Sequence, residues 1–322
     1  MLPPSPSIAP AVASFLTGLI DYAGLFPPAC ASMVDAVREF GRHRASREGW
    51  ILGRFVLPAG RLGEFAEAMA AHGTSESVGD PWPLSVIVGG DVDADVGMLN
   101  AAEARRGRRW HCASIELAPR PSEELASALD RTEAHAERYV ELPVAGLSSD
   151  SDRARVFAAA SAVLSARGAL AKLRTGGVVA DAIPDARDLA LSIALLARAG
   201  VRFKATAGLH HPVRADHPLT YALGSPRARM HGFLCVFVGA VVAQRLVETG
   251  VPADRLAEAV LPVIEERDPS AFVLDGASVA WRDLRFGVDE LAAATGRLAV
   301  SFGSCSFEEP VADLTALGWL FG

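Results

Sequence analysis

Short apolar runs rich in β-forming residues alternate with amphipathic helical stretches along most of this 322-residue chain. This alternation is typical of parallel α/β folds, because neighbouring parallel strands must be joined by a crossover that is usually a helix. Eight strand candidates are found, at residues 18–23, 50–58, 84–88, 111–117, 138–144, 169–173, 201–206 and 298–303. Helical patterns between the first seven cover residues 33–43, 60–72, 92–106, a stretch that starts after Pro121, 152–167 and 185–199.

The number of strands and the chain length predict a single (β/α)₈ TIM barrel domain spanning residues 1–322. An open doubly wound sheet is the competing architecture. Such a sheet usually opens with a GxGxxG turn after its first strand, and this sequence has none there.

The barrel pattern loosens after the seventh strand candidate. About 90 residues separate it from the eighth, whereas an ordinary βα unit needs about 30–40. We therefore predict a helical insertion at residues 212–297, with helices at 230–248, 253–267 and 288–295. Because apolar helices are unfavourable when exposed, we expect them to cover the barrel mouth or to make a subunit contact, with 230–248 in the core or at an interface. A homo-oligomer formed through these helices is therefore one of the two alternatives.

The composition narrows the class of partner. Half of the residues are hydrophobic, and the net charge of −7 gives no basic surface of the kind that binds nucleic acid. The first ten residues lack a positive charge ahead of an apolar stretch, so no signal peptide is predicted. The run 233–243 is too short to cross a bilayer, which takes about 20 residues. The cysteines have no metal-site or disulfide spacing and are interpreted as reduced thiols of a cytoplasmic protein, without metal, cofactor or membrane partner.

Only two of the 31 basic residues are lysines, Lys172 and Lys204, and both lie in strand candidates. In a barrel, the C-terminal ends of the strands face the active site. Two ammonium groups side by side repel each other, which is expected to lower the pKa of one, and the neutral amine can then attack a carbonyl to form an imine. Structural salt bridges to acidic residues at the strand ends are the plainer alternative.

Residues after the last three strands are suited to binding an anion. Glycines at 176, 208 and 303 would let backbone N–H groups approach a phosphate, which loops after strands seven and eight of barrels often bind. Arg174, beside Thr175, would bind a carboxylate or phosphate of a substrate, or would form an ion pair with a neighbouring residue.

Four short motifs resemble the deoxyribose-phosphate aldolases. Lys-x-x-Thr-Gly at 172–176, Lys-Ala-Thr-Ala-Gly at 204–208 and Gly-Ser-Cys-Ser at 303–306 are similar to strands six, seven and eight of that family, and Leu-Ile-Asp-Tyr-Ala-Gly-Leu-Phe-Pro at 19–27 is similar to its first strand. The resemblance implies a Schiff-base role for Lys172, a pKa-lowering role for Lys204 and a proton-relay role for Asp21. It also implies phosphate contacts at Gly208, Gly303 and Ser304.

The sequence departs from that family at several places. Its fourth strand carries Glu116 where the family has a proton-relay aspartate, and Glu116 and Glu141 are both candidates for a general acid or base. His210 and His211 have no counterpart in the family. His210 is a candidate substrate contact, but the pair is not expected to bind a metal, because adjacent side chains on a strand face opposite ways.

Three residues after the eighth strand have plainer interpretations. Glu308 and Glu309 fit the negative charge that is favoured at a helix N-terminus. Cys305 is interpreted as a small packed residue.

The leading hypothesis is an aldolase-like lyase that forms a lysine imine with a small aldehyde or ketone. The sequence does not decide whether this substrate carries a phosphate or a carboxylate group. A barrel isomerase or decarboxylase that uses the lysines as non-covalent anion binders is the second. A non-catalytic ligand-binding barrel is the third.

Overall fold

The structure is a computed structural model that describes residues 9–71, 80–105, 109–118, 122–135 and 137–320. Parts of the chain on which predictions were made lie outside these residues: residues 1–8 of the N-terminal segment, the predicted helix ends at 72 and 106, and Pro121.

Eight parallel strands form a closed barrel, so the predicted TIM barrel is confirmed. The strands of the described residues are β1 (Ile20–Tyr22), β2 (Leu52–Pro58), β3 (Trp82–Val88), β4 (Trp110–Leu117), β5 (Glu137–Leu142), β6 (Leu170–Arg174), β7 (Phe203–Thr206), β8 (Ala215–Pro218), β9 (Arg227–Met230), β10 (Phe272–Leu274), β11 (Ser278–Trp281), β12 (Leu284–Gly287) and β13 (Ala299–Ser304). The barrel runs from β1 to β7 in chain order, and β13 closes it between β7 and β1.

Helices separate the barrel strands, as the alternating pattern predicts. The α-helices of the described residues are α1 (Pro10–Leu16), α2 (Met33–Arg44), α3 (Leu62–Ala71), α4 (Val92–Glu103), α5 (Ser122–Asp130), α6 (Asp150–Ala166), α7 (Ala186–Ala199), α8 (Phe233–Glu248), α9 (Ala253–Ile264), α10 (Val288–Arg297) and α11 (Glu308–Ala316). In the described residues, no helix is long and apolar enough to cross a membrane.

The local sequence of α7 explains which side of this helix is buried and where the helix ends. In α7, Leu189, Ile193 and Leu196 are buried, and their spacing of four and three residues places them on one side of the helix. The helix ends at Gly200, whose φ of 64° lies in the left-handed region that glycine adopts without steric cost.

The segment 212–297 is not purely helical, in contrast to the prediction. It contains α8, α9 and α10, but also a β8–β9 hairpin and a three-stranded antiparallel sheet of β10, β11 and β12. These five strands have only three or four residues each, which is too short for a recognisable apolar alternation.

The apolar helix α8 belongs to the wall of the barrel rather than to its mouth. Its first eleven residues are all buried. Phe233 and Phe237 pack against Phe302 of β13, and α7, α9 and α10 pack around the rest of the helix. A helix that is apolar on all sides needs partners on all sides, and here the barrel and α9 supply them. The expected core position of α8 is therefore confirmed, and α8 does not cover the barrel mouth. The alternative, that the helices of the insertion make a subunit contact, stays a prediction.

The β8–β9 hairpin is the part of the insertion that lies over the barrel mouth. Residues of the hairpin and its turn line a cavity together with Gly177, Gly208 and His210, which follow β6 and β7. The hairpin leads into α8 through Gly232, which packs against the backbone of residues 212–213.

We expect Gly232→Ala to lower the free energy of unfolding by about 2 kcal/mol, the usual scale of an overpacked site. A Cβ at this position would overlap the carbonyl oxygen of Pro212 and the Cα of Val213, and backbone atoms cannot swing aside as a side chain can. Urea denaturation followed by far-UV circular dichroism measures the effect.

Gly63→Ala is the matched control for this substitution. Gly63 lies in α3, and a Cβ there would have no neighbouring atom within 4 Å. We expect alanine at this helical position to stabilise the protein by about 0.5–1 kcal/mol. Equal effects of the two substitutions would show that the hairpin junction is not tightly packed.

Candidate active site

Lys172 and Lys204 lie side by side on adjacent barrel strands. They pair in register between β6 and β7, and Glu141 of β5 pairs in register with Lys172 on its other side. Residues paired in this way point to the same face of a sheet. The topology therefore places one carboxylate and two amines in a row inside the barrel.

Glu116 of β4 joins the two amines. Its Oε2 lies 2.9 Å from Lys172 Nζ and its Oε1 lies 2.6 Å from Lys204 Nζ, and the Ser85 hydroxyl donates a further hydrogen bond of 2.6 Å to Oε1. Burial would raise the pKa of Glu116, but the attraction of Lys172 and Lys204 outweighs it and holds the pKa far below its usual range. One ionised carboxylate is thus shared between two lysines.

Lys204 is enclosed by acceptors. Only 1% of the residue is exposed, and its Nζ also lies 2.6 Å from Asp21 Oδ2 and 5.3 Å from the centre of the Tyr139 ring. Burial would lower the pKa of Lys204, but the charges of Asp21 and Glu116 and the hydrogen bonds to both outweigh it and raise the pKa. Lys204 is therefore an ammonium ion at neutral pH.

Asp21 is held in place by the strands on either side of β1. Its Oδ1 accepts a 2.8 Å hydrogen bond from the backbone N–H of Arg54, and its Oδ2 accepts one of 2.9 Å from the Ser301 hydroxyl. Asp21 does not line the cavity described below. It contacts the site through Lys204.

Lys172 has a more open position than Lys204. Its Nζ lies 3.0 Å from Glu141 Oε2, in addition to its contact with Glu116, and Arg174 Nε lies 2.9 Å from the other oxygen of Glu141. Burial would raise the pKa of Glu141, but the attraction of Lys172 and the hydrogen bond from Arg174 outweigh it and lower the pKa. Three carboxylates (Asp21, Glu116 and Glu141) thus face three cations, where the motif pattern alone suggested two repelling amines.

A cavity of about 310 Å³ opens at the C-terminal ends of the strands, which is a volume suited to a small molecule. The polar and glycine residues on its wall are Glu116, Lys172, Arg174, Gly177, Lys204, Thr206, Gly208, His210, Gly303 and Cys305. A second cavity of about 600 Å³ lies under the β8–β9 hairpin and shares Gly177, Gly208 and His210 with the first.

Three predicted substrate contacts lie behind the cavity wall. The Thr175 hydroxyl donates to the backbone oxygens of Thr206 and Ala207, at 3.2 and 2.6 Å, and so ties the end of β6 to that of β7. A Cβ on Gly176 would lie 3.1 Å from the Cα of Gly208, so Gly176 permits close approach of these two loops. Ser304 is buried, and its hydroxyl accepts a hydrogen bond from the Ser306 backbone.

A group of polar residues that the motifs did not reveal lies beside the cavity. Cys305 Sγ is 3.8 Å from His210 Nε2, His210 Nδ1 is 2.7 Å from Glu309, and the Tyr221 hydroxyl of the hairpin donates a 3.0 Å hydrogen bond to Glu309. Glu308 and Glu309 also lie in the first turn of α11, as predicted. The adjacent His211 bonds instead to Asp313, at 2.8 Å.

One other cluster, in the described part of the chain, combines side chains of the kind that ligate metals. Glu39, His43 and Glu308 bring one ligand atom each within 4.8 Å of one another. Arg42 already forms ion pairs with both carboxylates. None of these residues lines the cavity.

Comparison of the sequence with protein-family models and with curated proteins finds no match. The similarity to deoxyribose-phosphate aldolases therefore stays a resemblance of four short motifs.

We expect Glu116→Gln to lower the free energy of unfolding by about 3 kcal/mol at pH 7, because it leaves two buried ammonium groups with one carboxylate fewer. The folded-state pKa of Glu116 lies below its unfolded value of about 4.3, so ionised Glu116 stabilises the fold above that pH. As the pH falls below about 4, the wild type loses this contribution and the difference between the proteins shrinks. Urea denaturation of both proteins at pH 7, 5 and 3.5 measures this difference in the free energy of unfolding.

Glu64→Gln serves as the control, because Glu64 forms an ion pair with Arg61 on the surface of α3. Exposed pairs contribute at most about 1 kcal/mol. An effect of Glu116→Gln that is no larger than this, or that stays constant from pH 7 to 3.5, would contradict a buried charge cluster centred on Glu116.

Proposed function

We propose that the protein is an enzyme, an aldolase-like lyase in which Lys172 forms an imine with a small aldehyde or ketone. The observation that carries this proposal is the pairing of the chain's only two lysines on adjacent barrel strands, around one shared carboxylate and beside a cavity. No cofactor is required for this chemistry, because the amine itself activates the carbonyl.

The contacts favour Lys172 over Lys204 as the nucleophile. Lys204 has two carboxylate oxygens at 2.6 Å and is almost completely buried, so its proton is held firmly. The side chain of Lys172 is 7% exposed, and its two carboxylate contacts are longer, at 2.9 and 3.0 Å. In this assignment Lys204 is the fixed positive charge and Lys172 is the group that loses a proton.

Glu116 and Glu141 are the proton acceptors nearest to Lys172. Imine formation needs a base to take the ammonium proton and an acid to protonate the hydroxyl that leaves as water. Either carboxylate can carry that proton over a distance of one hydrogen bond. Lys204 assists, because its charge disfavours a second ammonium group on the far side of Glu116.

The iminium ion formed on Lys172 would act as an electron sink for cleavage of the adjacent carbon–carbon bond. Arg174 stands at the cavity wall with about half of its side chain exposed, which suits a substrate that carries a carboxylate or phosphate group. Gly208, His210 and Gly303 line the same space.

A second candidate function has one observation in its favour. Both lysines are ion-paired with carboxylates, which favours their ammonium forms, and a barrel isomerase or decarboxylase could use the same groups to bind and polarise an anionic substrate without covalent chemistry.

We expect borohydride treatment with acetaldehyde, glycolaldehyde or pyruvate to give a reduced adduct on Lys172, read by peptide mass spectrometry. Lys172→Arg keeps a cation between Glu116 and Glu141 but removes the nucleophile, so the adduct should disappear. Lys204→Met should keep trapping at Lys172 but shift it to higher pH, because Asp21 and Glu116 lose a cation and favour the ammonium form of Lys172.

Arg187→Lys is the control for non-specific modification of lysine. It places a lysine on the surface beside Asp150, where the arginine side chain is 71% exposed. This lysine should stay unmodified under conditions that trap Lys172. An adduct that maps to Lys204, or that persists in Lys172→Arg, would reverse the assigned roles. Absence of any adduct with a compound that is turned over would favour the non-covalent alternative.

A further inference from the structure

A thiol and an imidazole on the wall of the active-site cavity are joined to a carboxylate that lines the second cavity. Cys305 follows β13, His210 follows β7 and Glu309 lies in the first turn of α11. The sulfur lies 3.8 Å from His210 Nε2, and His210 Nδ1 lies 2.7 Å from Glu309. A nucleophile next to a base that is itself oriented by a carboxylate is the arrangement found in activated serine and cysteine sites.

The carboxylate of this group is itself fixed in place. The Tyr221 hydroxyl donates to Glu309 at 3.0 Å and lies 3.7 Å from Cys305 Sγ. Glu309 also accepts from His210, and this hydrogen bond lowers the pKa of Glu309. With both donors on one carboxylate, the imidazole ring is oriented so that its Nε2 points to the sulfur.

The environment favours the charged form of the imidazole. Burial alone would lower the pKa of His210, but hydrogen bonds to Cys305 and Glu309 outweigh it and raise the pKa to about 9. Its Nε2 lies 3.8 Å from the sulfur of Cys305, which places a proton donor and a nucleophile in contact on the cavity wall.

Cys235 and Cys30 have different surroundings from Cys305. Cys235 is buried against the backbone oxygens of Pro212 and Glu266, and burial raises its pKa to about 12. Cys112 contacts a backbone oxygen, and Cys30 is exposed. Cys305 combines a cavity position with a neighbouring imidazole.

We infer that Cys305 is a second nucleophile of the cavity, which adds reversibly to the carbonyl carbon of an aldehyde with His210 as its proton carrier and Glu309 as the residue that orients His210. His210 Nε2–H donates its proton to the carbonyl oxygen as the sulfur bonds to the carbonyl carbon and the carbonyl π electrons move to oxygen. The thiol proton then passes to His210 Nε2 and restores the imidazolium ion, which leaves a neutral thiohemiacetal. The reverse sequence releases the aldehyde, and no oxidant or further reactant is needed.

The choice of aldehydes as ligands rests on the carbonyl chemistry proposed for Lys172. The reactivity of the Cys305 thiol does not depend on that proposal. Two experiments separate these points. The first uses iodoacetamide, which is small enough for the cavity and reports the thiolate. The second asks whether an aldehyde occupies the sulfur when no imine can form.

In the first experiment, Cys305 and Cys30 are alkylated in the same protein at pH 6 and followed by peptide mass spectrometry. An ordinary thiol with a pKa of about 8.5 is almost entirely protonated at this pH. We expect Cys305 to react at least about tenfold faster than the exposed Cys30, after allowance for the lower nucleophilicity of a stabilised thiolate. His210→Asn should remove most of this advantage, and Glu309→Gln should reduce it.

His211→Asn is the matched control, because the adjacent histidine bonds to Asp313 and not to the sulfur. It should leave the alkylation rate of Cys305 unchanged, and circular dichroism shows whether each variant is folded. A rate at Cys305 no higher than at Cys30, or a rate that His210→Asn and His211→Asn change equally, would overturn the thiol–imidazole assignment.

In the second experiment, glycolaldehyde is added to Lys172→Arg before alkylation at pH 6. We expect it to slow the modification of Cys305 several-fold, with recovery on dilution, while Cys30 reacts as before. Rapid alkylation without protection by the aldehyde would overturn the proposed ligand class. Because Lys172 is absent from this variant, the result does not depend on whether the wild type forms an imine.

Discussion

The shared carboxylate of Glu116 is the interaction on which the site depends. Two lysines cannot be buried on adjacent strands of a barrel unless their charges are compensated, because isolated buried ions are costly. Glu116 contacts both, Asp21 and Glu141 flank it, and Ser85 satisfies one of its remaining lone pairs. The barrel interior is usually filled by layers of branched apolar side chains. Here a buried charge cluster takes the place of such a layer, so the residues that line the cavity also bear on the stability of the fold.

The cluster is not symmetrical, and its asymmetry is what makes the two lysines different. The charges of Asp21 and Glu116 and the hydrogen bonds to them raise the pKa of Lys204, and the Tyr139 ring lies 5.3 Å from its Nζ. Both lysines line the cavity, but Lys172 is the more exposed of the two, and its Nζ lies farther from its carboxylate partners, at 2.9 and 3.0 Å. Cys305 and His210 lie on the wall of the same cavity, so that a thiol and an amine face one small space.

The sequence predicts most of the barrel and part of the site. Apolar periodicity identifies all eight barrel strands and places the two lysines on the sixth and seventh of them. It also identifies Glu116 and Glu141 as acidic residues near strand ends, and Glu141 pairs in register with Lys172. The short strands of the insertion carry too little pattern to be recognised. The packing of Gly176 on Gly208 and the contacts of Glu309 with His210 and Tyr221 depend on how loops distant in sequence meet in space, which local periodicity does not encode.

A chain with only two lysines allows the central assignment to be observed directly. Selective ¹⁵N labelling of lysine side chains gives one Nζ resonance for Lys172 and one for Lys204, which the single-lysine variants assign. On addition of a reactive aldehyde, we expect the Lys172 resonance to be replaced by that of an imine, while the Lys204 resonance stays that of an ammonium ion at neutral pH. An imine signal from Lys204, or an unchanged Lys172 resonance with a compound that the protein cleaves, would contradict the roles given to the two residues.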